Sequence, residues 1–393
     1  MFLTLSYLLL SVSLIGVMLV FAFYPFILFL SSLFKHEYDN HQDIKEYYIS
    51  LIVVVRNAED LIKDKIENCL SLHYPSKKLE VIFYSDGSTD NTNQIIHSYK
   101  DKGIKFFHST EHRGKIDAIN AAVKQCSGEI LVLTDADALL EAEALNNMMR
   151  HYIHPSMGGV CGQRVISNDR STTVSSQEKY IKLDTAVKIL ESKLRRITSN
   201  DGKIYSLRRR LFKPIETGVT DDLFTCLTVI RQGYSFVFEP EARAFIKVPS
   251  RTPAHEIQRR QRIVAQSLRG IFILKDLLNP FRYGFFSLGL FINKVLRRVL
   301  PVFLLLIFFS TLYLSFSSIW LALFLFIQSV FYALSLVHLS VNKLALQHAS
   351  LKKMNKGLEL IFYFCIGNAG TLLGFMTFLS GKKIKKWDPV KSD

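Results

Sequence analysis

Aspartates follow two apolar runs in the first half of the chain, and this pattern predicts a site for a cation and a diphosphate. Residues 79–84 lead into Asp86, and residues 129–133 lead into Asp135 and Asp137. Carboxylate oxygens are ligands that Mg²⁺ and Mn²⁺ prefer, and such an ion can in turn hold a diphosphate. The sequence therefore indicates a nucleotide-sugar site with Mg²⁺ or Mn²⁺ as its cofactor.

The segments around these aspartates must position them. Short apolar runs alternate with helix-like segments between residues 49 and 162, which predicts an α/β fold with a mostly parallel sheet. The predicted strands are residues 49–55, 79–84, 104–107, 129–133 and a run from 158, and predicted helices include residues 59–72 and 139–152. Ligands of such sheets bind outside the carboxyl ends of the strands, where both aspartate clusters would lie.

Long apolar stretches flank this α/β region. Residues 1–34 carry no charged side chain, and residues 299–316, 319–341 and 358–379 each approach the roughly 20 residues of a bilayer-spanning helix. Buried core helices are the alternative, but these rarely lack charge over such lengths. The predicted organisation is a transmembrane helix in 1–34, a cytoplasmic domain in 42–270, an interfacial amphipathic segment in 271–298, three transmembrane helices in 299–380 and a basic tail in 381–393.

Charges and cysteines predict a multi-pass protein of the cell membrane with its α/β domain in the cytoplasm. The five cysteines are scattered, without paired spacing, which is typical of reduced thiols. The basic loop 342–357 favours an inside position, and counting helices then places the tail outside. Because the tail itself is basic, its side is left undecided.

The net charge of +15 is concentrated before the last apolar stretches. Residues 241–300 contain twelve basic and three acidic side chains, a composition that suits membrane lipids with anionic headgroups. Binding of nucleic acid is a poor fit, because no groove-reading motif accompanies the charge. A further interpretation is that some arginines of this region reach a diphosphate.

Motifs spread over residues 48–270 resemble the inverting family 2 glycosyltransferases with the GT-A fold. The resemblance extends to their membrane-integrated branch, which includes poly-N-acetylglucosamine, hyaluronan, chitin and cellulose synthases. The matching segments are Arg56-Asn57-x-Glu59, Asp86-Gly-Ser-Thr-Asp90, Gly114-Lys115, Asp135-Ala-Asp137, Thr220-Asp-Asp222, Gly233-Tyr234, Glu239-Pro-Glu-Ala242 and the arginine-rich box Gln258-Arg-Arg-Gln-Arg-Ile263.

The resemblance implies roles for individual residues. Asp86 would contact the nucleotide base and Lys115 its phosphates, whereas a turn and a solvated helix start are their structural alternatives. Asp135 and Asp137 would form the metal motif, with Asp137 as the direct ligand and Asp135 also touching the substrate. Arg259 and Arg262 of the arginine-rich box are assigned to substrate binding.

Asp222 is assigned as the general base, because an inverting displacement requires the acceptor hydroxyl to lose its proton. Its neighbour Asp221 is interpreted as part of a helix N-terminus, which would also keep Asp222 ionised. The segment 203–208 resembles a region that flanks the acceptor, and it is assigned no chemistry.

One departure from the family pattern bears on the product. Processive synthases end the arginine-rich box in Arg-Trp, whereas this chain has Arg262-Ile263. The expected function is therefore limited addition of sugar from a UDP-hexose or UDP-N-acetylhexosamine to a lipid-linked or glycan acceptor. A processive synthase that exports its product remains the alternative, and so does a non-catalytic membrane subunit, although both Asp137 and Asp222 are present. Partner subunits are not indicated.

Overall fold

A computed structural model describes residues 2–33, 45–167, 172–247, 252–345 and 349–384. The strands are β1 Ile49–Val55, β2 Leu79–Asp86, β3 Ile104–Ser109, β4 Ile130–Asp135, β5 Ala138–Leu140, β6 Met157–Ile166, β7 Ile204–Arg208 and β8 Ser235–Ile246. The first helices are α1 Phe2–Met18, α2 Tyr24–Leu33, α3 Glu59–Leu70, α4 Thr92–His97, α5 Lys115–Val123, α6 Ala144–Met149 and α7 Thr172–Lys193. The later ones are α8 Asp221–Arg231, α9 Pro253–Ile273, α10 Pro280–Tyr283, α11 Phe285–Leu290, α12 Arg297–Leu314, α13 Ile319–Ala345 and α14 Ala349–Leu379.

The strands form one mixed sheet in the order β3-β2-β1-β4-β7-β6-β8-β5. The half that contains β3, β2, β1 and β4 is parallel throughout. Strand β7 then runs antiparallel to both β4 and β6, and β5 runs antiparallel to β8. The predicted α/β fold with a mostly parallel sheet is confirmed, and the antiparallel strands β7 and β5 make the sheet mixed.

Helices cover both faces of the sheet, because its strands are apolar on both sides. Alternate residues of β1, beginning with Ile49, Leu51 and Val53, face a core shared with α3, α4 and α6. Ile52 faces the opposite core, which includes α5, α8 and part of α9. A parallel sheet buried on both faces produces the nearly continuous apolar runs seen in the sequence.

The region after β4 differs from the predicted helix 139–152. Residues Ala138–Leu140 form β5 and pair with β8, with Leu139 opposite Phe245. Helix α6 begins only at Ala144 and gives way to a short 3₁₀ turn at Arg150. Pairing with a strand about a hundred residues later overrides the helical pattern, a long-range effect that local propensity does not capture.

Within the described ranges, four helical runs are long and apolar enough to cross a membrane: Phe2–Leu33, Phe285–Leu314, Ile319–His338 and Gly357–Leu379. The second begins fourteen residues before the predicted start at 299, within the segment 271–298 predicted to be interfacial. Its basic side chains are satisfied by the protein, because Lys294 Nζ donates to Ser199 Oγ at 2.6 Å and Arg298 Nε donates to Ser267 Oγ at 2.7 Å. The helix therefore continues through them.

The predicted loop 342–357 is helical over most of its length, since α13 extends to Ala345 and α14 begins at Ala349. Helix α9, which carries the arginine-rich box, packs along α14, and Gln261 Nε2 donates to Thr377 Oγ1 at 2.9 Å. Residues 34–44 lie outside the described residues, and so does the predicted basic tail from residue 385 onwards.

Candidate active site

The carboxyl ends of β1, β2 and β4 meet at one edge of the sheet. In the parallel register Val54 lies beside both Tyr84 and Asp135, so the ends of β2 and β4 flank β1 symmetrically. Asp86 ends β2 and Asp135 ends β4. The sheet thus brings the two aspartate clusters to a common edge, as the sequence predicts.

Asp86 holds the loop that precedes Lys115. Its Oδ1 accepts the backbone N–H of Arg113 at 2.9 Å, and its Oδ2 accepts that of Gly114 at 2.8 Å and contacts His112 Nδ1 at 2.8 Å. Gly87 permits this approach, because its φ is +63° and a Cβ there would lie 2.5 Å from the nitrogen of His112. The buried carboxylate therefore organises the start of α5.

An open cavity of about 300 Å³ borders this loop, and Asp86 is one of its lining residues. The other residues that line it are Tyr84, Ser109, Arg113, Asp117, Ala118, Asn120, Ala121 and Lys124. Because Asp86 already receives three donors from the protein, its predicted contact with the nucleotide base stays a prediction. The cavity offers space for a base beside it.

Lys115 lies between two carboxylates that are far apart in sequence. Its Nζ is 2.9 Å from Asp135 Oδ1 and 3.2 Å from Asp221 Oδ2. Burial lowers the pKa of Lys115, but the two carboxylates outweigh burial and hold that pKa well above its ordinary value. The ammonium at the start of α5 is therefore permanently charged and fixed within the site, unlike a solvated helix start.

Lys203 is a second ammonium in the site, and the sequence interpretation missed it. Its Nζ lies 3.0 Å from Asp135 Oδ2, 2.7 Å from Asp137 Oδ1 and 2.8 Å from Asp137 Oδ2. Burial raises the pKa of Asp135, yet Lys115 and Lys203 together lower it far below the ordinary value. Both aspartates of the predicted metal motif thus form ion pairs with lysines.

A buried lysine also stabilises the turn between β4 and β5, which carries Asp135 and Asp137. Lys65 of α3 is fully buried, and its Nζ donates to Thr134 Oγ1 at 3.1 Å and to the carbonyl oxygen of Ala138. Burial lowers the pKa of Lys65, while Asp135 and Asp137 oppose that shift. The two groups that Lys65 connects, in Thr134 and Ala138, fix the backbone between β4 and β5, where Asp135 and Asp137 lie.

Asp222 reaches the same region from the start of α8. Its Oδ1 accepts the N–H of Leu223 at 2.7 Å, and a Cβ on Gly202 would lie 3.9 Å from its Oδ2 and 4.0 Å from Lys115 Nζ. Burial, and then repulsion from Asp221, raise the pKa of Asp222 to about 6. The amide of Leu223, at the helix N-terminus, opposes the shift.

Asp221 lies at the N-terminus of a helix, as interpreted, but it does not cap that helix. The cap residue of α8 is Thr220, whose side chain makes no capping bond, and Asp221 is the first helical residue. Its carboxylate pairs with Lys115 instead. Sequence proximity to a helix start suggested capping, whereas a contact across 106 positions determines what the side chain does.

Buried hydrogen bonds join the first candidate membrane span to the segment 198–200, which in turn contacts the backbone of Asp222. Tyr24 Oη donates to Glu191 Oε1 at 2.5 Å, and the other oxygen of Glu191 accepts the N–H of Thr198 at 2.8 Å. Two residues further on, Asn200 Nδ2 donates to the carbonyl oxygen of Asp222 at 2.9 Å. Burial raises the pKa of Glu191, which accepts three short bonds and is 1% exposed.

The structure places the arginine-rich box on α9, along the last membrane helix. Arg259 donates through Nε and Nη2 to both oxygens of Glu256, at 3.0 and 3.1 Å. Arg262 lies on the same helix and is half-buried. The contacts of Arg259 are therefore within α9, and its assignment to substrate, like that of Arg262, stays a prediction.

Asp135 and Asp137 are the side chains predicted to bind Mg²⁺ or Mn²⁺. Within the described ranges, no cluster of three or more histidine, cysteine, aspartate or glutamate side chains is arranged to hold an ion. Asp135 and Asp137 supply two carboxylates, which is the protein share typical of Mg²⁺ sites completed by substrate phosphates and water. The residues fit such an ion once Lys203 moves aside.

Comparison with known proteins agrees with this geometry. Residues 50–217 match the family described as Glycosyl transferase family 2. The poly-beta-1,6-N-acetyl-D-glucosamine synthase of Staphylococcus epidermidis is 29% identical over 216 residues, or 53% of this chain and 52% of that protein. The synthase of the same name from Staphylococcus aureus is 28% identical over 210 residues, or 51% and 50% of the two chains. This chain spans about half the length of these curated relatives.

The solved structure of a mannosyltransferase from Pyrobaculum calidifontis, in complex with GDP-Man and Mn²⁺, has the same fold. It superposes with a TM-score of 0.68 over 95% of this chain and 100% of its own, at 21% sequence identity. The four candidate membrane spans are likewise typical of a membrane protein. Residues 50–217 thus form a domain that is similar to glycosyl transferase family 2, and this domain has the GT-A fold.

Proposed function

We propose that the chain is an inverting glycosyltransferase that uses a nucleotide-sugar donor at the cytoplasmic face of a membrane. The donor is a UDP-hexose or UDP-N-acetylhexosamine, and the acceptor is a lipid-linked sugar or a glycan. The reaction is limited addition of one or a few sugars. Mg²⁺ or Mn²⁺ is the cofactor.

The observation that carries this proposal is the convergence of four charged groups on one edge of the sheet. Lys115 contacts Asp135 and Asp221 directly, and Asp222 lies beside them. These residues come from three separate motifs of the sequence. A general base next to cationic groups is what a direct displacement with a diphosphate leaving group requires.

In the proposed mechanism the acceptor hydroxyl lies within hydrogen-bond reach of Asp222. The hydroxyl oxygen attacks the anomeric carbon, its proton passes to the Asp222 carboxylate, and the bond to the diphosphate breaks on the opposite face of the sugar. The ammonium of Lys115 stabilises the negative charge that develops on the leaving diphosphate. Asp135 and Asp137 would hold the divalent ion, which supplies further charge stabilisation to that diphosphate.

Two features support a cytoplasmic, membrane-bound location. The described cysteines are all free, and Cys69, Cys126, Cys161 and Cys226 are buried as thiols, which suits a reducing compartment. The hydrogen-bonded chain from Tyr24 to Asp222 ties the site to a helix long enough to span a bilayer. An acceptor anchored in lipid can reach a site held in this way.

A processive synthase is the second candidate, and the names of the Staphylococcus relatives favour it. Against it stands Ile263, which follows Arg262 where the resembling polymer synthases have tryptophan. Product length separates the two candidates. Limited addition yields one or a few sugars per acceptor, whereas processive synthesis yields a long ladder.

The test is a transfer assay with the purified full-length chain in detergent or nanodiscs. Radiolabelled UDP- and GDP-sugars are supplied in turn with membrane lipid extract and Mn²⁺, and products are separated by size. One donor should label a lipid-extractable product, and Asp222→Asn should abolish the labelling while nucleotide binding persists. Labelling that survives in Asp222→Asn refutes the assigned base, and no labelling with any donor refutes the proposed reaction.

A further inference from the structure

Three carboxylate oxygens in the site converge on a single point, and the ammonium of Lys203 occupies it. Asp135 contributes one oxygen at 3.0 Å, and Asp137 contributes two, at 2.7 and 2.8 Å. Such convergence of oxygens is what a cation site requires. Taking the proposed function as its basis, we propose that Lys203 is a built-in cation that a divalent ion must displace, so that the ion binds well only together with the donor diphosphate.

Lys203 is held in place and does not resemble a mobile surface lysine. Its N–H donates to Asp201 Oδ1 at 3.2 Å, and its carbonyl oxygen accepts Thr134 Oγ1 at 2.7 Å. The side chain is only 18% exposed. Thr134 is the residue that the buried Lys65 supports, so the ammonium and the aspartates are positioned by one rigid turn.

The charge balance of the site explains why displacement is needed. Without an ion, Lys203 already pairs with both Asp135 and Asp137, whereas Lys115 is shared between Asp135 and Asp221. A divalent ion added beside Lys203 would place like charges a few ångströms apart in a poorly solvated region, which is strongly unfavourable. Movement of Lys203 frees all three oxygens, and an arriving diphosphate supplies negative charge for both the ion and the displaced ammonium.

The measurement is Mn²⁺ binding to the full-length protein in detergent, followed by loss of the free-ion EPR signal, with and without UDP. Wild-type protein should bind Mn²⁺ weakly alone and more tightly with UDP. Lys203→Met should bind Mn²⁺ alone at least about tenfold more tightly, as expected for removal of one adjacent charge. Lys203→Arg, which keeps the charge, should resemble wild type.

A matched control is Lys105→Met. Lys105 also pairs with a buried carboxylate, since its Nζ lies 2.6 Å from Glu80 Oε2, but it belongs to β3 and is remote from Asp137. Its Mn²⁺ affinity should equal that of wild type. Circular dichroism verifies folding of each variant, and Lys203→Gln, which keeps a polar end, repeats the test if Lys203→Met does not fold.

The results overturn the proposal in two cases. In the first, folded Lys203→Met binds Mn²⁺ without UDP no more tightly than wild type does. In the second, Lys105→Met gains as much Mn²⁺ affinity as Lys203→Met. Failure of the proposed function gives a different result, because the wild-type protein would then bind neither UDP nor GDP at saturating Mn²⁺. The comparison of Lys203 variants without nucleotide is unaffected by that outcome.

Discussion

Replacement of Asp222 by Asn is the sharpest test of the site, because the neighbouring Asp221 provides a matched change. Asp222→Asn keeps the shape of the side chain and removes its ability to accept a proton. A positioned general base contributes a factor of about 10² to 10⁴, so the turnover rate should fall by that range with nucleotide binding retained. Asp221→Asn removes the same charge one residue away and leaves the base intact.

The magnitude of the pH dependence follows from the environment of Asp222. Burial and the charge of Asp221 raise the pKa of Asp222 to about 6, so the carboxyl is about nine-tenths ionised at pH 7 and about one-tenth ionised at pH 5. The rate of transfer should therefore fall about tenfold between these two pH values. In Asp221→Asn the repulsion is lost, the pKa of Asp222 falls, and the acid limb moves to lower pH.

The assay is the initial rate of radiolabel transfer at subsaturating donor, measured from about pH 5 to about pH 8, since this quantity reports groups of the free enzyme. An acid limb that stays near pH 6 in Asp221→Asn would show that another group controls it. Near-normal turnover in Asp222→Asn at pH 7 would remove Asp222 from the mechanism altogether.

Three further outcomes test other parts of the structure. Asp137→Ala should abolish Mn²⁺-dependent binding of UDP in calorimetry, and unchanged affinity would contradict its metal role. Burial raises the pKa of Glu80, but hydrogen bonds from Lys105 and Ser127 outweigh burial and lower that pKa to about 2. At pH values above the ordinary pKa of a glutamate, this shift should contribute up to about 3 kcal/mol to the free energy of unfolding, and the contribution should be lost as the pH falls towards 2. Acid unfolding of Glu80→Gln should lack this loss; an unchanged acid profile would refute it. Glu191→Ala leaves buried donors unsatisfied and should lower the free energy of unfolding by about 1–3 kcal/mol for each donor, measured as a lower melting temperature. The control Glu111→Ala, at an exposed side chain, should melt like wild type. Equal losses of melting temperature in both variants would refute the network.

The parallel half of the sheet was predictable because its signals are local. Strand β1 matches the predicted residues 49–55 exactly, since a β-branched run buried on both faces has no competing interpretation. The aspartates that end β2 and β4 then meet at the same edge through a general property of parallel sheets. The positions of Asp86 and Asp135 thus follow from short segments of sequence.

Lys203 could not be predicted in this way, because its role depends on an antiparallel strand inserted between β4 and β6. The register places Ile204 opposite Thr134, and this alone sets Lys203 beside Asp135. A lysine before the mixed segment Ile204–Arg208, which contains a serine and an arginine, carries no local signal of such pairing. The resemblance of residues 203–208 to an acceptor-flanking region marked the segment without indicating what Lys203 contacts.

The contact between Lys115 and Asp221 escaped prediction for a related reason. Each residue begins a helix, and local rules assign charged residues at helix starts to capping or to solvent. The two helices are brought together by the sheet, with α5 and α8 packed in the same core. Arg259 shows the opposite case, since its nearest carboxylate is three residues away on its own helix.

The hydrogen-bonded chain from Tyr24 through Glu191 and Thr198 to Asn200 has a geometric consequence for substrate choice. In the proposed function it fixes the position of Asp222 relative to Phe2–Leu33, a helical run long enough to span a membrane. We expect an anchored acceptor to present its hydroxyl at the matching distance from the membrane, so that the length of its polar headgroup becomes a selection criterion alongside its chemical identity. The rate of sugar transfer to synthetic acceptors that differ only in spacer length should show one optimum length. A rate that does not depend on spacer length would refute this selection by distance.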